Sequence, residues 1–319
     1  MISRRGGAAP VLMLVLLMFA VALGWVARER QQAVAAQQEA IPPARVLVRT
    51  GAVPRAVRES SGVAVSRTHP GVLWTHNDSG GDAELFAIDL AGEVLGRVEL
   101  DGAGARDWED IALGPCPASW EEPASCLYVA DTGDNAGVRR DVTLYVLPEP
   151  APDAREVKPR AELDFTYDTG PDDAEAVAVT AEGDLIVVTK GRHGHVTLYE
   201  LGHEALDEAL GQKGRVTLGP GQRLPIEPDR RLQRLVTGAA ISAGGRLAVR
   251  TYPEVYFFDR TDAGWTLAGA CSFWNRNMTG EAIDFLDEHQ MVVTGEWVRS
   301  RPGDIFRVRC DAEDGGQER

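Results

Sequence analysis

Positive charge is what this chain lacks. Its 319 residues include 33 lysines and arginines against 48 aspartates and glutamates, a formal net charge of −15. A surface of that sign has no basic face to neutralise phosphates, which excludes nucleic acid and anionic membrane surfaces as partners. Cationic ligands and metals suit it better. Helical periodicity is equally scarce, with one short candidate near residues 203–210, so a helical bundle is excluded. Ser79 lacks the G-x-S-x-G setting of a nucleophile elbow. Cysteine is limited to four residues, all far beyond the N-terminus, and this rules out a lipoprotein anchor.

One long uncharged run is present, at residues 6–27, between Arg4 and Arg5 on one side and Arg28, Glu29 and Arg30 on the other. It is long enough to span about 30 Å of hydrocarbon as a helix. Residues 1–27 therefore read as an uncleaved transmembrane anchor, with a signal peptide cleaved near Ala33-Val34-Ala35 as the alternative. Arg4 and Arg5 stay inside, which places the rest of the chain outside the cytoplasm and associates its N-terminus with the membrane. Residues 28–43 read as a tether, 44–310 as the folded domain and 311–319 as a tail. In an oxidising compartment the four cysteines are expected to pair. Cys116 and Cys126 bracket one loop between strand-like runs, which leaves Cys271 with Cys310; four free buried thiols are the alternative.

A short unit recurs five times: a polar residue, a spacer and an alternating apolar stretch, at residues 61–65, 109–113, 175–179, 237–241 and 281–285. Each is followed by a second β-rich run at 72–75, 126–130, 184–188, 246–250 and 291–295, and by a third at 84–88, 142–146, 196–200, 254–258 and 304–308. Fourth runs are readable at 94–98, 161–165, 215–218 and 265–269, but the fifth unit stops after its third. Residues 45–49, ahead of the first unit, can supply the missing strand. The expected fold is all-β, a five-bladed β-propeller whose N-terminal strand closes the last blade. A β-sandwich of similar strand count is the alternative, and it leaves the repeat unexplained.

In a propeller the first strands line the central channel, so Ser61, Glu109, Glu175, Thr237 and Glu281 are expected to converge there. Three carboxylates in one channel repel unless protons or a cation intervene. An all-oxygen ring of this kind suits Ca2+ and offers no soft ligand for zinc or copper. A water-filled channel is the alternative. The ends of the second strands surround the same mouth, with Asp78 and Asp131 on two blades and Lys190 and Arg250 on two others. These four are candidate catalytic residues: the acids to position water, the bases to contact a small anionic ligand. Asx-type turns and strand-end salt bridges are the competing account. His193 and His195 have a chelating spacing but read as an exposed turn, and Asn277 begins an N-x-T sequon. No feature indicates a protein partner.

Several runs carry a resemblance: Trp74-Thr-His-Asn-Asp-Ser-Gly, Asp107-Trp-Glu-Asp-Ile-Ala, Tyr128-Val-Ala-Asp-Thr-Gly-Asp-Asn, Asp173-Ala-Glu-Ala-Val and Val236-Thr-Gly-Ala-Ala-Ile-Ser. Over residues 45–310 they resemble a group of secreted bacterial β-propellers, a likeness that implies the fold and no substrate. The order Ser61, Glu109, Glu175, hydroxyl, Glu281 is similar to the calcium ring of five-bladed calcium-activated nucleotidases (apyrases), with Thr237 where a serine would stand. Phytase-like and lactonase-like propellers also use axial calcium. The resemblance implies a calcium-binding propeller, expected to hydrolyse phosphate esters or anhydrides. The alternatives are a non-catalytic binding or scaffold propeller and a lactonase or esterase.

Overall fold

The computed structural model describes residues 41–121, 124–212, 215–273 and 280–310. The anchor, most of the tether, the Asn277 sequon and the tail lie outside the described residues. Among the described residues no helix is long and apolar enough to cross a membrane.

The chain enters through β1 (Val46–Ala52), which waits for a partner at the far end of the sequence. The first blade is β2 (Ser60–Val65), β3 (Leu73–Asn77), β4 (Glu84–Ile88) and β5 (Val94–Leu100). The second is β6 (Trp108–Pro115), β7 (Ser125–Asp131), β8 (Val142–Pro148) and β10 (Ala161–Tyr167), with a short β9 (Glu156–Val157) in the connection between β8 and β10. The third is β11 (Ala174–Val179), β12 (Leu185–Thr189), β13 (Val196–Leu201) and β15 (Gln222–Leu224), with the helix α1 (His203–Gln212) and β14 (Arg215–Leu218) in the connection between β13 and β15. The fourth is β16 (Val236–Ile241), β17 (Leu247–Thr251), β18 (Glu254–Thr261) and β19 (Gly264–Ser272). The fifth is β20 (Gly280–Phe285), β21 (Gln290–Gly295) and β22 (Asp304–Arg309), completed by β1, which pairs antiparallel with β22. Five sheets and a cyclic set of contacts between first strands make this an all-β five-bladed propeller.

The apolar pattern follows from the position of each strand in its blade. Inner strands are covered on both faces by neighbouring blades, so β7, β11, β12, β16 and β17 are buried at every residue and read as continuous apolar runs. Outer strands such as β10 show one face to water and alternate. The core is accordingly a series of layers between blades. Trp74, Leu85, Trp108 and Val129 fill the layer between the first and second blades; Tyr128, Phe165, Val187 and Tyr199 fill the next. Each such side chain contributes about 1.5–3 kcal/mol by leaving water.

One assignment needs correction. Residues 215–218 are not the outer strand of the third blade: β14 lies parallel to β10, on the edge of the second, and β15 takes the outer place beside β13. The cause is α1. Its start is held by Asp184, which accepts hydrogen bonds from the His203 N–H at 2.7 Å and from Nδ1 at 2.9 Å. Leu206, Ala209 and Leu210 on its buried face join the layer that contains β10, so the helix carries the chain back over the second blade. The same device appears one blade earlier, where β9, drawn from the outer connection of the second blade, lies parallel to β5 of the first. In both places an exposed sheet edge is covered.

Two disulfides, Cys116–Cys126 and Cys271–Cys310, fit an oxidising compartment. The first closes a local turn, with a sequence separation of 10; the second ties the outer strand of the fourth blade to the end of β22, with a separation of 39. Because loop-closure entropy grows with length, replacing Cys271 and Cys310 with serine should cost about 4 kcal/mol, against about 3 kcal/mol for the Cys116 and Cys126 pair. Guanidinium unfolding of the two double variants checks the order; equal or reversed losses would show that the second bridge does not secure ring closure.

Candidate functional site

Every first strand carries a β-bulge at the same level. Pairing steps from Trp108↔Asp131 to Asp110↔Ala130, from Ala174↔Thr189 to Ala176↔Val188, and from Val236↔Thr251 to Gly238↔Arg250, so Glu109, Glu175 and Thr237 are each the extra residue. In the first and fifth blades Ser61 with Gly62, and Glu281 with Ala282, occupy the shift between Ser60/Val63 and Gly280/Ile283. A bulge re-aims its side chain and frees it from the ladder. All five of these residues are buried, and the carboxylates of Glu109 and Glu175 approach one another across the mouth of the channel.

One step further in, four of the five positions are small: Gly62, Ala176, Gly238 and Ala282. The fifth is Asp110, whose carboxylate accepts N–H bonds from Ile111 at 2.8 Å, Val177 at 3.0 Å and Ala239 at 3.2 Å. It ties three blades together on the axis and floors the mouth. A Cβ on Gly62 would stand 2.6 Å from both the Ile111 nitrogen and His76 Nε2, so the crowded floor leaves no room for one.

Above the floor lie two overlapping carboxylate groups, Asp78 with Asp107 and Glu109, and Glu109 with Asp173 and Glu175. Within each, one oxygen per residue lies within 4.8 Å of the others. Asp107 and Asp173 were not among the residues expected from the sequence. Their signal is there: both stand two residues before a ring glutamate, in Asp107-Trp-Glu109 and Asp173-Ala-Glu175. The acids fit because residue 133 is glycine, where a Cβ would come within 2.1 Å of Glu109 Oε1 and 2.4 Å of Asp107 Oδ2.

The two groups differ in counter-charge. Lys190 Nζ contacts Glu175 Oε1 and Arg192 Nε contacts Asp173 Oδ2, so the second group carries its own cations. Among the described residues no lysine or arginine forms an ion pair with Asp78, Asp107 or Glu109. Burial, and then the repulsion of Asp107, Glu175, Glu296 and Glu59, pushes Asp78 up to about 7. Burial likewise raises Glu175 to about 7 despite Lys190, and drives Glu109 and Glu281 well above the usual carboxylate range. Burial works against the charge of Lys190, but Glu175 and Glu109 outweigh it and hold its pKa above the ordinary lysine value. Thr237 Oγ1 is buried with no hydrogen-bond partner, and so is one oxygen of Asp78. Orphaned oxygens beside carboxylates that outnumber the nearby cations are the donor set of a hard cation, and the cluster could hold a metal ion.

The remaining expected site residues are placed as follows. Ser61 Oγ donates to the Glu109 carbonyl at 2.6 Å. Asp131 is engaged by Arg139 Nη1 at 2.7 Å and by the N–H groups of Arg106 and Asp107. Arg250 is fully buried against Gly280; its Nη1 donates to the carbonyls of Ala282 and Thr294, and burial pulls its pKa down to about 10. It cross-ties the fourth blade to the fifth, behind the channel wall. His193 is exposed, 3.6 Å from Asp172.

By sequence, no protein family and no curated protein matches the chain. By structure it is similar to a luciferin-regenerating enzyme, at 10% identity over 84% of this chain and 97% of that one, with a TM-score of 0.44. It is also similar to the PQQ-bound aldose sugar dehydrogenase of Streptomyces coelicolor, at 13% identity over 84% and 99%, TM-score 0.45. A gluconolactonase of Xanthomonas campestris follows, at 15% identity over 82% and 89%, TM-score 0.40. At such values the likeness assigns no ligand and no reaction. The fold and the site define a five-bladed propeller with a buried acidic mouth able to hold a metal ion.

These shifts make stability depend on pH in a definite direction. The raised carboxyls keep protons that the unfolded chain, with carboxyls near 4, has already released, so their stabilisation is complete below about pH 4 and is lost as pH rises through 7. His76, lowered by burial to about 4, opposes this: its contribution is present above its unfolded value near 6.5 and lost as pH falls towards 4. The raised carboxyls outnumber the one imidazole. In chelator the melting temperature should fall between pH 5.5 and 8, and calcium should reverse the fall by replacing protons, adding about 2.7 kcal/mol at a hundredfold excess over Kd. Glu109→Gln should weaken the calcium response and exposed Glu288→Gln should not. Differential scanning fluorimetry decides it; a melting temperature indifferent to both pH and calcium removes the cation site.

Proposed function

We propose that this propeller works outside the cytoplasm as a divalent-cation-dependent hydrolase of an uncharged oxygen ester or lactone. The observation that carries the proposal is the carboxylate group of half-buried Asp78 and Asp107 and buried Glu109, gathered with no ion pair to a lysine or arginine among the described residues. Its hard oxygens suit Ca2+, and the orphaned hydroxyl of Thr237 together with Glu281 extends the donor set around the axis. A divalent ion bound there supplies a Lewis acid for the ester carbonyl. Glu175, poised near neutrality, takes a proton from the attacking water and returns it to the alkoxide released when the C–O bond breaks. Asp131 has no such freedom, since Arg139 and two backbone N–H groups engage it.

Charge selects the substrate. Hydrolysis of a phosphate ester or anhydride needs cations to share the phosphoryl charge. Lys190 is neutralised by Glu175, Arg192 by Asp173, and Arg250 is fully buried with its Nη1 spent on the carbonyls of Ala282 and Thr294. A multiply charged anion would meet carboxylates whose nearby Lys190 and Arg192 are already engaged, whereas a neutral ester or lactone meets no such barrier.

The test is turnover by the full chain over a panel of lactones, aryl esters, nucleotides, pyrophosphate and inositol phosphates, with calcium and with chelator. Ester or lactone hydrolysis should require the ion. Asp107→Asn should lower it by more than the roughly 10–100-fold that losing a hydrogen-bond partner of a metal ligand costs. Preference for a phosphoanhydride would restore the phosphohydrolase expected from the sequence, and calcium binding without turnover would leave a scaffold ion.

A further inference from the structure

The chain contains three lysines, and one of them, Lys190, stands among the carboxylates of the mouth. Its backbone is fixed between blades: its N–H donates to the Asp173 carbonyl at 2.7 Å, and its carbonyl accepts from the Val236 N–H at 3.2 Å. Its side chain is 10% exposed and ends on Glu175, whose own side chain is 2% exposed. Only the four-carbon stem can move. The ammonium therefore stands where a cation would be expected, inside the group formed by Glu109, Asp173 and Glu175.

Glu109 belongs to both carboxylate groups. An ion held by Asp78, Asp107 and Glu109 would bring two positive charges to a residue whose other neighbours already hold the Lys190 ammonium. Like charges a few ångströms apart in a buried site repel strongly. The mobile partner in that conflict is the lysine, a point charge on a rotatable chain. Arg192 is less free, because its guanidinium bridges Asp173 and Asn135.

Resting on the reading of the mouth as a divalent-cation site, we propose that Lys190 is a tethered competing cation. It holds the acidic mouth together when no ion is bound and leaves Glu175 when a divalent ion enters. Two consequences follow from charge alone. A monovalent ion that displaced the ammonium would exchange one positive charge for another, while a divalent ion gains one, so Lys190 discriminates by valence. Its departure also releases the Glu175 carboxylate, so ion binding prepares the group assigned to proton transfer.

Two measurements on the full chain test this. Amine acetylation read by mass spectrometry, with Lys158 (side chain 73% exposed) as internal reference, should modify Lys190 several-fold faster in saturating calcium than in chelator. Lys190→Met should melt at a lower temperature in chelator, bind calcium about tenfold more tightly by calorimetry, and be stabilised by sodium or potassium to which the wild type is indifferent. Lys158→Met should change none of these. A folded Lys190→Met protein with unchanged or weaker calcium affinity overturns the proposal, as does Lys190 labelling that calcium leaves unchanged or slows. Should that variant fail to fold, the labelling of wild type decides. If the wild type binds no divalent ion, the cation-site reading falls and this one with it; if it binds one while Lys190 stays put, only this one falls.

Discussion

The site depends on one backbone irregularity repeated five times. At the start of each first strand the ladder shifts register, and the residue at the shift escapes the pairing that fixes its neighbours. A regular strand would send alternate side chains into the layers between blades, where carboxylates cannot be accommodated. The bulges instead gather Ser61, Glu109, Glu175, Thr237 and Glu281 at the channel mouth. Below them the axis has room for little, and Asp110 closes it with three N–H bonds from three blades. The mouth is thus a blind cup. Water reaches its acids from one side only, which is why burial is the largest cause of every raised carboxyl in it.

From that geometry the electrostatics divide unevenly around the ring. The third blade supplies acids and bases together, with Glu175 beside Lys190 and Asp173 beside Arg192. The seam between the first and second blades gathers Asp78, Asp107 and Glu109, none of them in an ion pair among the described residues. Where charge is balanced internally the fold holds without help; where it is not, protons or a cation must complete it. The same imbalance narrows the chemistry, because a mouth short of unpaired base is a poor receptor for phosphate.

The propeller was legible because its inner strands repeat a pattern that packing on both faces imposes, and because residues 45–49 had no local partner. The place of β14 was not legible. A strand on the edge of one blade and a strand on the edge of the next have the same alternation, and only the docking of α1 decides between them. Within the site, the register of Glu109, Glu175 and Glu281 could be read from the repeat, and Asp107 and Asp173 could have been read from the twice-used Asp-x-Glu. What a residue type cannot reveal is whether its charge is already engaged. Asp131 and Arg250 stand at strand ends like Asp78 and Lys190, yet Arg139 holds one and backbone carbonyls of the fifth blade hold the other.

Gly133 separates the demands of the fold from those of the site. Its backbone is not in the left-handed region that glycine serves elsewhere in this chain, for example at Gly137 and Gly191. The turn would therefore accept another residue. What a Cβ would meet is the pair of carboxylates it faces, Glu109 and Asp107, which would have to shift to admit one. The fold gains nothing from that arrangement: the glycine adds chain entropy to the unfolded state, and the acids it accommodates repel one another. Local choices that weaken a structure while sparing a cluster of like charges are expected where a ligand, rather than folding, is the beneficiary. The cluster is in this respect unlike Asp110, which three backbone N–H groups hold in place, and unlike Glu254, which Arg234 and the Tyr256 hydroxyl satisfy. Buried acids with partners are fixed by the fold itself; those beside Gly133 form a cluster that could hold a metal ion.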